Sequence, residues 1–362
     1  MVIKSLKLKN YRNYELLDMT FDSKTNILYG DNAQGKTNIL EALYLSGTTK
    51  SHRGTKDRDL IQFGREESHL ETIVEKKGME FQIDMHLKKN SPKGIAINKI
   101  PIRKASELFG IVHFVFFSPE DLNIIKDGPA GRRRFIDLEL SQIDKVYLSN
   151  LSNYNRIINQ RNSLLKELYH QDHLMDTLDI WDMQLAEYGK KIISFRKEFI
   201  NNVSIKAAAR HKQISSGNEE LSVVYVPSAE ENDFEIKLQS TFERDIFMGS
   251  TSYGPHRDDI SFFINGNDVR IYGSQGQQRT AAICAKLAEI DIIKENTDTS
   301  PVLLLDDVLS ELDKTRQHML MDCINDVQTI ITCTGIEDSI TNYAGNAAIF
   351  NVNNGVIKRE TT

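Results

Sequence analysis

Along the chain the hydrophobic positions change their period twice. Ile3, Leu6 and Leu8 sit among lysines and lead into the polar, basic turn Asn10-Tyr11-Arg12-Asn13-Tyr14, the pattern of an opening strand. A short apolar strand, Ile27 to Tyr29, then passes through a glycine-bearing segment into Ile39, Leu40, Ala42, Leu43 and Leu45, spaced as on a helix. Short alternating strands are predicted from about Glu71 to Leu87 and at Gly94–Asn98, and a buried strand at Ile111–Phe117.

In the middle the period becomes helical. Tyr147, Leu151, Tyr154, Ile158, Arg161, Leu165 and Leu168 fall on a three-four spacing, and so do Leu178, Trp181, Leu185, Tyr188, Ile192, Phe195 and Phe199. The polar break His170-Gln171-Asp172-His173 lies between them, so two helices of about 22 residues, roughly 33 Å each, are expected as an antiparallel hairpin. The Trp and Tyr of the second stripe read as core, and the two histidines lack ligand partners at metal spacing.

From about Leu221 strands return. Ile260–Ile264, Asn265-Gly266 and Val269–Tyr272 predict a hairpin with a type I′ turn. A helix carrying Ile283, Leu287, Ile290 and Ile293 follows, then the apolar run Val302–Leu305 and a later buried strand, Thr329–Cys333. An all-apolar strand suits a sheet covered on both faces, so the fold class expected is α/β with an inserted helical arm.

Composition narrows this little. Hydrophobic residues make up 40% and charged ones 27% of 362, as in a soluble protein of two or three domains. A net charge of -6 excludes a histone-like coat of positive charge and leaves room for local basic surface. The three cysteines form no CxxC pair, which fits a reduced cytosol and excludes a zinc site built on paired CxxC motifs. Met1–Asn10 already has a strand pattern and no apolar run would span a bilayer, so a cytoplasmic protein without membrane contact is expected.

The chemistry concentrates in Gly30-Asp31-Asn32-Ala33-Gln34-Gly35-Lys36-Thr37. Strand, glycine-rich loop and helix is the context of a phosphate-binding P-loop: backbone N–H groups and the helix N-terminus take the anion, Lys36 reaches the β- and γ-phosphates, and the Thr37 hydroxyl is placed for Mg²⁺. Asp306 and Asp307 end an apolar strand at the edge where α/β sheets bind ligands, so Asp306 would hold the hydrated Mg²⁺ and Asp307 would orient the attacking water. Ser274-Gln275-Gly276-Gln277 opens a helix with a hydroxyl and free N–H groups, a second anion-favouring element. Arg12 suits either a phosphate or a surface salt bridge. The basic loop holding Lys50, Arg53 and Arg58, and the run Arg132, Arg133, Arg134, either face solvent and pair with acids or meet a DNA backbone. His256-Arg257-Asp258-Asp259 belongs either to a site or to a turn with internal ion pairs.

Taken in order, GDNAQGKT, SQGQQ, LLLDD and SELD resemble an ATP-binding-cassette ATPase head, in the branch shared by SMC proteins, Rad50 and RecF. The opening LKLKNYRNYE, NILEALYL, KSHRG, FSPEDL with GRRRFID, and YGPHRDD are similar to the RecF family over essentially the whole chain. The resemblance implies a head formed by residues 1–125 and 240–362 and an arm lobe of 126–239. It implies nucleotide bound in cis by the octapeptide, and Ser274, Gly276 and Gln277 contacting the ATP of a second copy in an ATP-dependent homodimer. Ser310 with Asp313 matches the dimer-contacting D-loop, and Glu120 lies where a Q-loop would be. It implies an ATP-dependent clamp on single- and double-stranded DNA near gaps, acting in replication and repair with RecO and RecR, supporting the SOS response and hydrolysing ATP weakly. An SMC- or Rad50-like organiser is the alternative, but it expects long coiled coils that this chain lacks. Asp307 where most cassettes have Glu, and Thr332 or Thr334 where many have a switch His, both point to slow hydrolysis.

Overall fold

The computed structural model describes residues 1–121, 124–168, 175–215, 217–324, 326–335 and 347–360. The polar break His170–His173 lies outside the described residues. The chain divides into two compact units, Met1–Leu122 with Lys286–Thr362, and Asn123–Ala285.

The first unit holds two six-stranded sheets. One is antiparallel, in the order Tyr14–Thr20, Val2–Tyr11, Glu67–Lys76, Met79–Lys88, Ser91–Ile97 and Ile100–Pro101. The alternation seen from Glu71 to Leu87 becomes two ten-residue strands, joined through Lys77 and Gly78, both at positive φ, as a tight hairpin turn requires. Ser68, Leu70, Thr72 and Val74 are buried on one face.

The other sheet runs Val356–Arg359, Ala348–Asn353, Thr25–Tyr29, Thr329–Cys333, Val302–Asp306 and Phe114–Phe117. All its pairs but the first are parallel. Every residue of Val302–Asp306 and Thr329–Cys333 is buried, which is why Val302–Leu305 reads as an unbroken apolar run. Parallel pairing brings the carboxyl ends of the Thr25, Thr329 and Val302 strands to one edge.

In the second unit the stripes form helices Lys145–Leu168 and Met175–Ile214. The second is 40 residues long, well beyond the expected length, because its last turns bury Val203 and Ala207 against the strand Leu221–Val226. That strand pairs with Asp259–Ile264 in antiparallel register, so residues 240–285, assigned to the head by sequence, belong to this unit. Asn265 and Gly266 both take positive φ, as a type I′ turn requires. The returning strand is only Asn267–Asp268. Val269–Tyr272 is a helical turn rather than a strand, because the Asp268 side chain caps it by accepting from Arg270 N. Among the described residues no helix is long and apolar enough to cross a membrane.

Among the described residues of this unit three arginines are buried, each neutralised. Arg161 lies on the first stripe because it ion-pairs with Asp182 and donates to Asp245 Oδ2 at 2.8 Å and Thr251 Oγ1 at 2.9 Å. Arg196 donates to Asp137 Oδ1 at 2.6 Å, Pro255 O at 2.6 Å and Asp258 Oδ2 at 3.1 Å. Burial alone would lower its pKa, but Tyr147, Asp137, Tyr225 and Asp258 outweigh burial and raise it. At His256–Asp259 the acids are ion-paired, not within the turn as expected but with Arg196 and Arg132 from other elements. Asp258, fully buried, also accepts from Ser228 N at 2.8 Å and from the Tyr225 hydroxyl. We predict that Asp258→Ala, which removes one of the two carboxylates paired with buried Arg196 and leaves Ser228 N and the Tyr225 hydroxyl without that acceptor, costs about 3–5 kcal/mol. Urea unfolding measures this; a loss below about 1 kcal/mol would mean the network is not holding the unit together.

Candidate nucleotide-binding site

The turn from strand Thr25–Tyr29 into helix Lys36–Thr48 has a shape that side chains oppose. Gly30 lies at φ 150° and Gly35 at φ 110°; a Cβ on Gly30 would sit 2.2 Å from Val352 O, and one on Gly35 2.5 Å from Asn13 Nδ2. Lys36 Nζ folds back over the loop, donating to Gly30 O at 2.6 Å and Asp31 O at 2.7 Å. Beside it opens a cavity of about 190 Å³ lined by Asn32, Ala33, Lys36, Thr37, Arg53, Asp307 and Thr332, among others. That volume suits a polyphosphate rather than a whole nucleotide.

The carboxylates arrive from the neighbouring strands. Thr37 Oγ1 donates to Asp306 Oδ1 at 2.7 Å, and Thr332 Oγ1 donates to the same oxygen at 2.8 Å. Asp307 N donates to Thr332 Oγ1 at 3.0 Å, so Thr332 rather than Thr334 occupies the position beside the acidic pair. Burial raises the Asp306 pKa against the opposing pull of Thr37, Thr332 and Arg53. Burial likewise raises Asp307, against Lys36. Asp307 takes φ 54°, a left-handed conformation that non-glycine residues seldom adopt and that concentrates at functional sites. A hydroxyl touching a buried carboxylate, with a second carboxylate next to it, is a donor set that fits a hard divalent cation; Thr37 and Asp306 would hold it.

The polar turn at the end of the first strand braces the loop. Asn13 Nδ2 donates to Gln34 O at 3.0 Å, the Tyr14 hydroxyl donates to Gly35 O at 3.1 Å, and Asn38 Nδ2 donates to Asn13 Oδ1 at 2.8 Å. Gln34 O also accepts from Gly355 N at 3.3 Å. Arg12 takes the salt-bridge role: Nε and Nη2 donate to Glu41 at 2.8 and 2.9 Å, and Nη1 donates to Asp59 O at 2.9 Å. Sequence reasoning missed Asn13, Tyr14 and Glu41 as supports of the loop. Asn and Tyr at a strand end, and a lone Glu in an apolar helix, were the available signals; their partners lie in distant segments.

In the second unit, Ser274 and Gln277 form a reciprocal cap at the start of helix Gln275–Thr297. Gln277 N donates to Ser274 Oγ at 3.2 Å, and Ser274 N donates to Gln277 Oε1 at 2.9 Å. Gln277 Nε2 reaches Glu219 Oε1 at 2.7 Å, while Gly276 is half-buried beside them. Ser310, exposed, donates to Asp307 O at 2.8 Å, and Asp313 accepts from Arg316 N at 3.0 Å. Glu120 is exposed and does not line the cavity.

The six basic candidates have separate fates. Arg132 is 2% exposed and donates to Asp259 at 2.6 and 2.9 Å and to Ile124 O at 3.1 Å. It is therefore removed from the candidate DNA contacts, its charge consumed inside the unit. Arg133 is half-buried and donates to Asp258 O at 2.8 Å. Arg53 lines the phosphate-sized cavity. Lys50, Arg58 and Arg134 are exposed.

The RecF/RecN/SMC N-terminal domain model matches residues 2–358. The chain is 57% identical to the DNA replication and repair protein RecF of Agathobacter rectalis over 358 residues, 99% of each chain. It is similar to the solved structure of the recombination mediator protein RecF with ATP, of the RecFOR pathway, at 36% identity and a TM-score of 0.93, covering 99% of this chain and 98% of the other. The Smc head domain of Pyrococcus furiosus shares the fold at 15% identity and a TM-score of 0.58, covering 100% and 96%. The braced P-loop facing an Asp-Asp strand end thus sits in an ATPase head of the SMC type, and the chain belongs to the RecF family of DNA replication and repair proteins.

Proposed function

We propose that this chain is an ATP-dependent DNA clamp that acts as a recombination mediator at single-strand gaps, closing as a homodimer on ATP and working with RecO and RecR. The observation that carries the reading is the convergence of Lys36, Thr37 and Asp307 on one cavity of polyphosphate size, with Asp306 bonded to Thr37 behind it. The P-loop N–H groups and Lys36 bind the β- and γ-phosphates. Thr37 and Asp306 would hold Mg²⁺, which would neutralise phosphate charge. Asp307 accepts a hydrogen bond from the attacking water. Its carboxylate reaches one methylene less far than Glu, and Thr332 stands where a switch His would assist. Hydrolysis is therefore slow, as suits a timer.

Ser274, Gly276 and Gln277 present the Ser274 hydroxyl at a helix start, and they meet the γ-phosphate held by a second copy. The Ser274–Gln277 cap supports this, because it holds the loop in one geometry while leaving Ser274 exposed. Lys50, Arg58 and Arg134 are the exposed cations assigned to the DNA backbone, with Arg133 partly withdrawn.

Light scattering of the full chain without nucleotide, with ADP and with ATP·Mg²⁺, each with and without gapped DNA, tests the clamp. The expected result is a dimer only with ATP, strengthened by gapped DNA; a monomer throughout overturns it. Lys36→Ala is predicted to weaken ATP binding by about 10- to 100-fold, the loss of a charge-assisted contact, and to abolish the ATP-dependent dimer. A variant that dimerises normally would refute the role of Lys36. Ser274→Arg is predicted to keep ATP affinity within about twofold while blocking the dimer; loss of ATP binding in the monomer would place Ser274 in its own subunit's site.

A further inference from the structure

The P-loop helix carries a carboxylate that the nucleotide chemistry leaves unused. Glu41 lies four residues after Thr37, on the same side of the helix, and has no exposed surface. Arg12 clasps it with two donors, and Ser51 Oγ donates to Glu41 Oε1 at 2.5 Å. Burial would raise the Glu41 pKa, but Arg12 and Ser51 outweigh it and hold the group charged. A buried ion pair adds little stability over an apolar pair of the same volume, so its place inside an otherwise apolar helix calls for another use.

The hydrogen bonds lead to that use. Ser51 Oγ donates to Glu41 and in turn accepts from Arg53 N at 3.2 Å, while Gly54 N donates to Ser51 O at 3.0 Å and closes the turn. Arg53 lines the cavity beside Lys36, Thr37 and Asp307. The helix that holds the phosphates is therefore tied, through one carboxylate and one hydroxyl, to the backbone of an arginine facing the same cavity. Arg12 completes the tie on the other side, donating to Thr55 Oγ1 at 3.2 Å and Asp59 O at 2.9 Å in the segment after Arg53.

We propose that Glu41 is a positioning residue for nucleotide binding: through Ser51 it fixes the backbone that presents Arg53 to the phosphates, with Arg12 holding Glu41 in place. The inference rests on the reading that the cavity takes ATP phosphates. It separates two jobs within one basic loop, Arg53 serving the nucleotide and its exposed neighbours remaining for other anions.

The test is a double-mutant cycle read by the binding of a fluorescent ATP analogue to the full chain without DNA. Ser51→Ala leaves the Arg12–Glu41 pair intact and cuts only the link to Arg53, so it avoids an unpaired buried charge; Ser51→Thr restores the hydroxyl. The expected result is that Ser51→Ala and Glu41→Gln each weaken binding about fivefold, the worth of one hydrogen bond, that Ser51→Thr recovers it, and that neither change has further effect in an Arg53→Ala background. Equal losses with and without Arg53, or no loss from Ser51→Ala, overturn the inference. If Arg53→Ala itself leaves binding unchanged while Lys36→Ala weakens it, the inference falls and the nucleotide site stands. If neither weakens binding, the nucleotide reading fails with it.

Discussion

The hydrogen bond between Thr37 and Asp306 joins residues 269 positions apart, and it forms only because the strand leading into the Thr37 helix and the strand ending at Asp306 run parallel in one sheet. Thr25–Tyr29 and Val302–Asp306 are not neighbours; Thr329–Cys333 runs between them and pairs with both. Its Thr332 lies in register with Asp306 on one side and Leu28 on the other. A hydroxyl in the middle strand can therefore bond the carboxylate on the outer one and the backbone that follows it. Parallel pairing sets all three carboxyl ends at one edge, and burial on both faces demands the apolar runs that lead there. The site is the place where those runs stop.

A phosphate loop must also keep its shape when no anion organises it. The chain achieves this by lateral support: Asn13 and Tyr14 hold the carbonyls of Gln34 and Gly35, and Gly355 holds Gln34 from the other side. Fixed donors and dipoles are worth most when nothing needs to reorganise on binding. The polar turn closing the first strand is thus part of the loop's construction.

Buried charge follows one rule in both units. Glu41 with Arg12, Arg161 with Asp182 and Asp245, and Arg196 with Asp137 and Asp258 are each paired and further hydrogen-bonded. An unpaired ion in such a place would be costly, whereas a satisfied network specifies one arrangement. In the second unit the networks tie the long helices to the turn before Asp259. They account for the carboxylates of that turn.

The sequence by itself determined the elements whose cause is local. The two stripes, the strand-loop-helix of the octapeptide, the Asn265-Gly266 turn and the Asp306-Asp307 strand end were legible because periodicity, positive φ and apolar runs are properties of neighbouring residues. Val269–Tyr272 was misread for the same reason, since its β-branched and aromatic residues suit a strand until the Asp268 cap starts a helical turn. Only the tertiary structure decided what each charge meets. Arg132, Arg133 and Arg134 look equivalent as a run, yet one is buried against Asp259, one half-buried and one exposed. Arg12 turned inward to Glu41 and Arg53 toward the phosphate cavity, while the return of residues 240–285 to the second unit depended on the pairing of Asp259–Ile264 with Leu221–Val226. A long side chain takes its role from the partner within reach, and in a folded chain that partner comes from a remote segment.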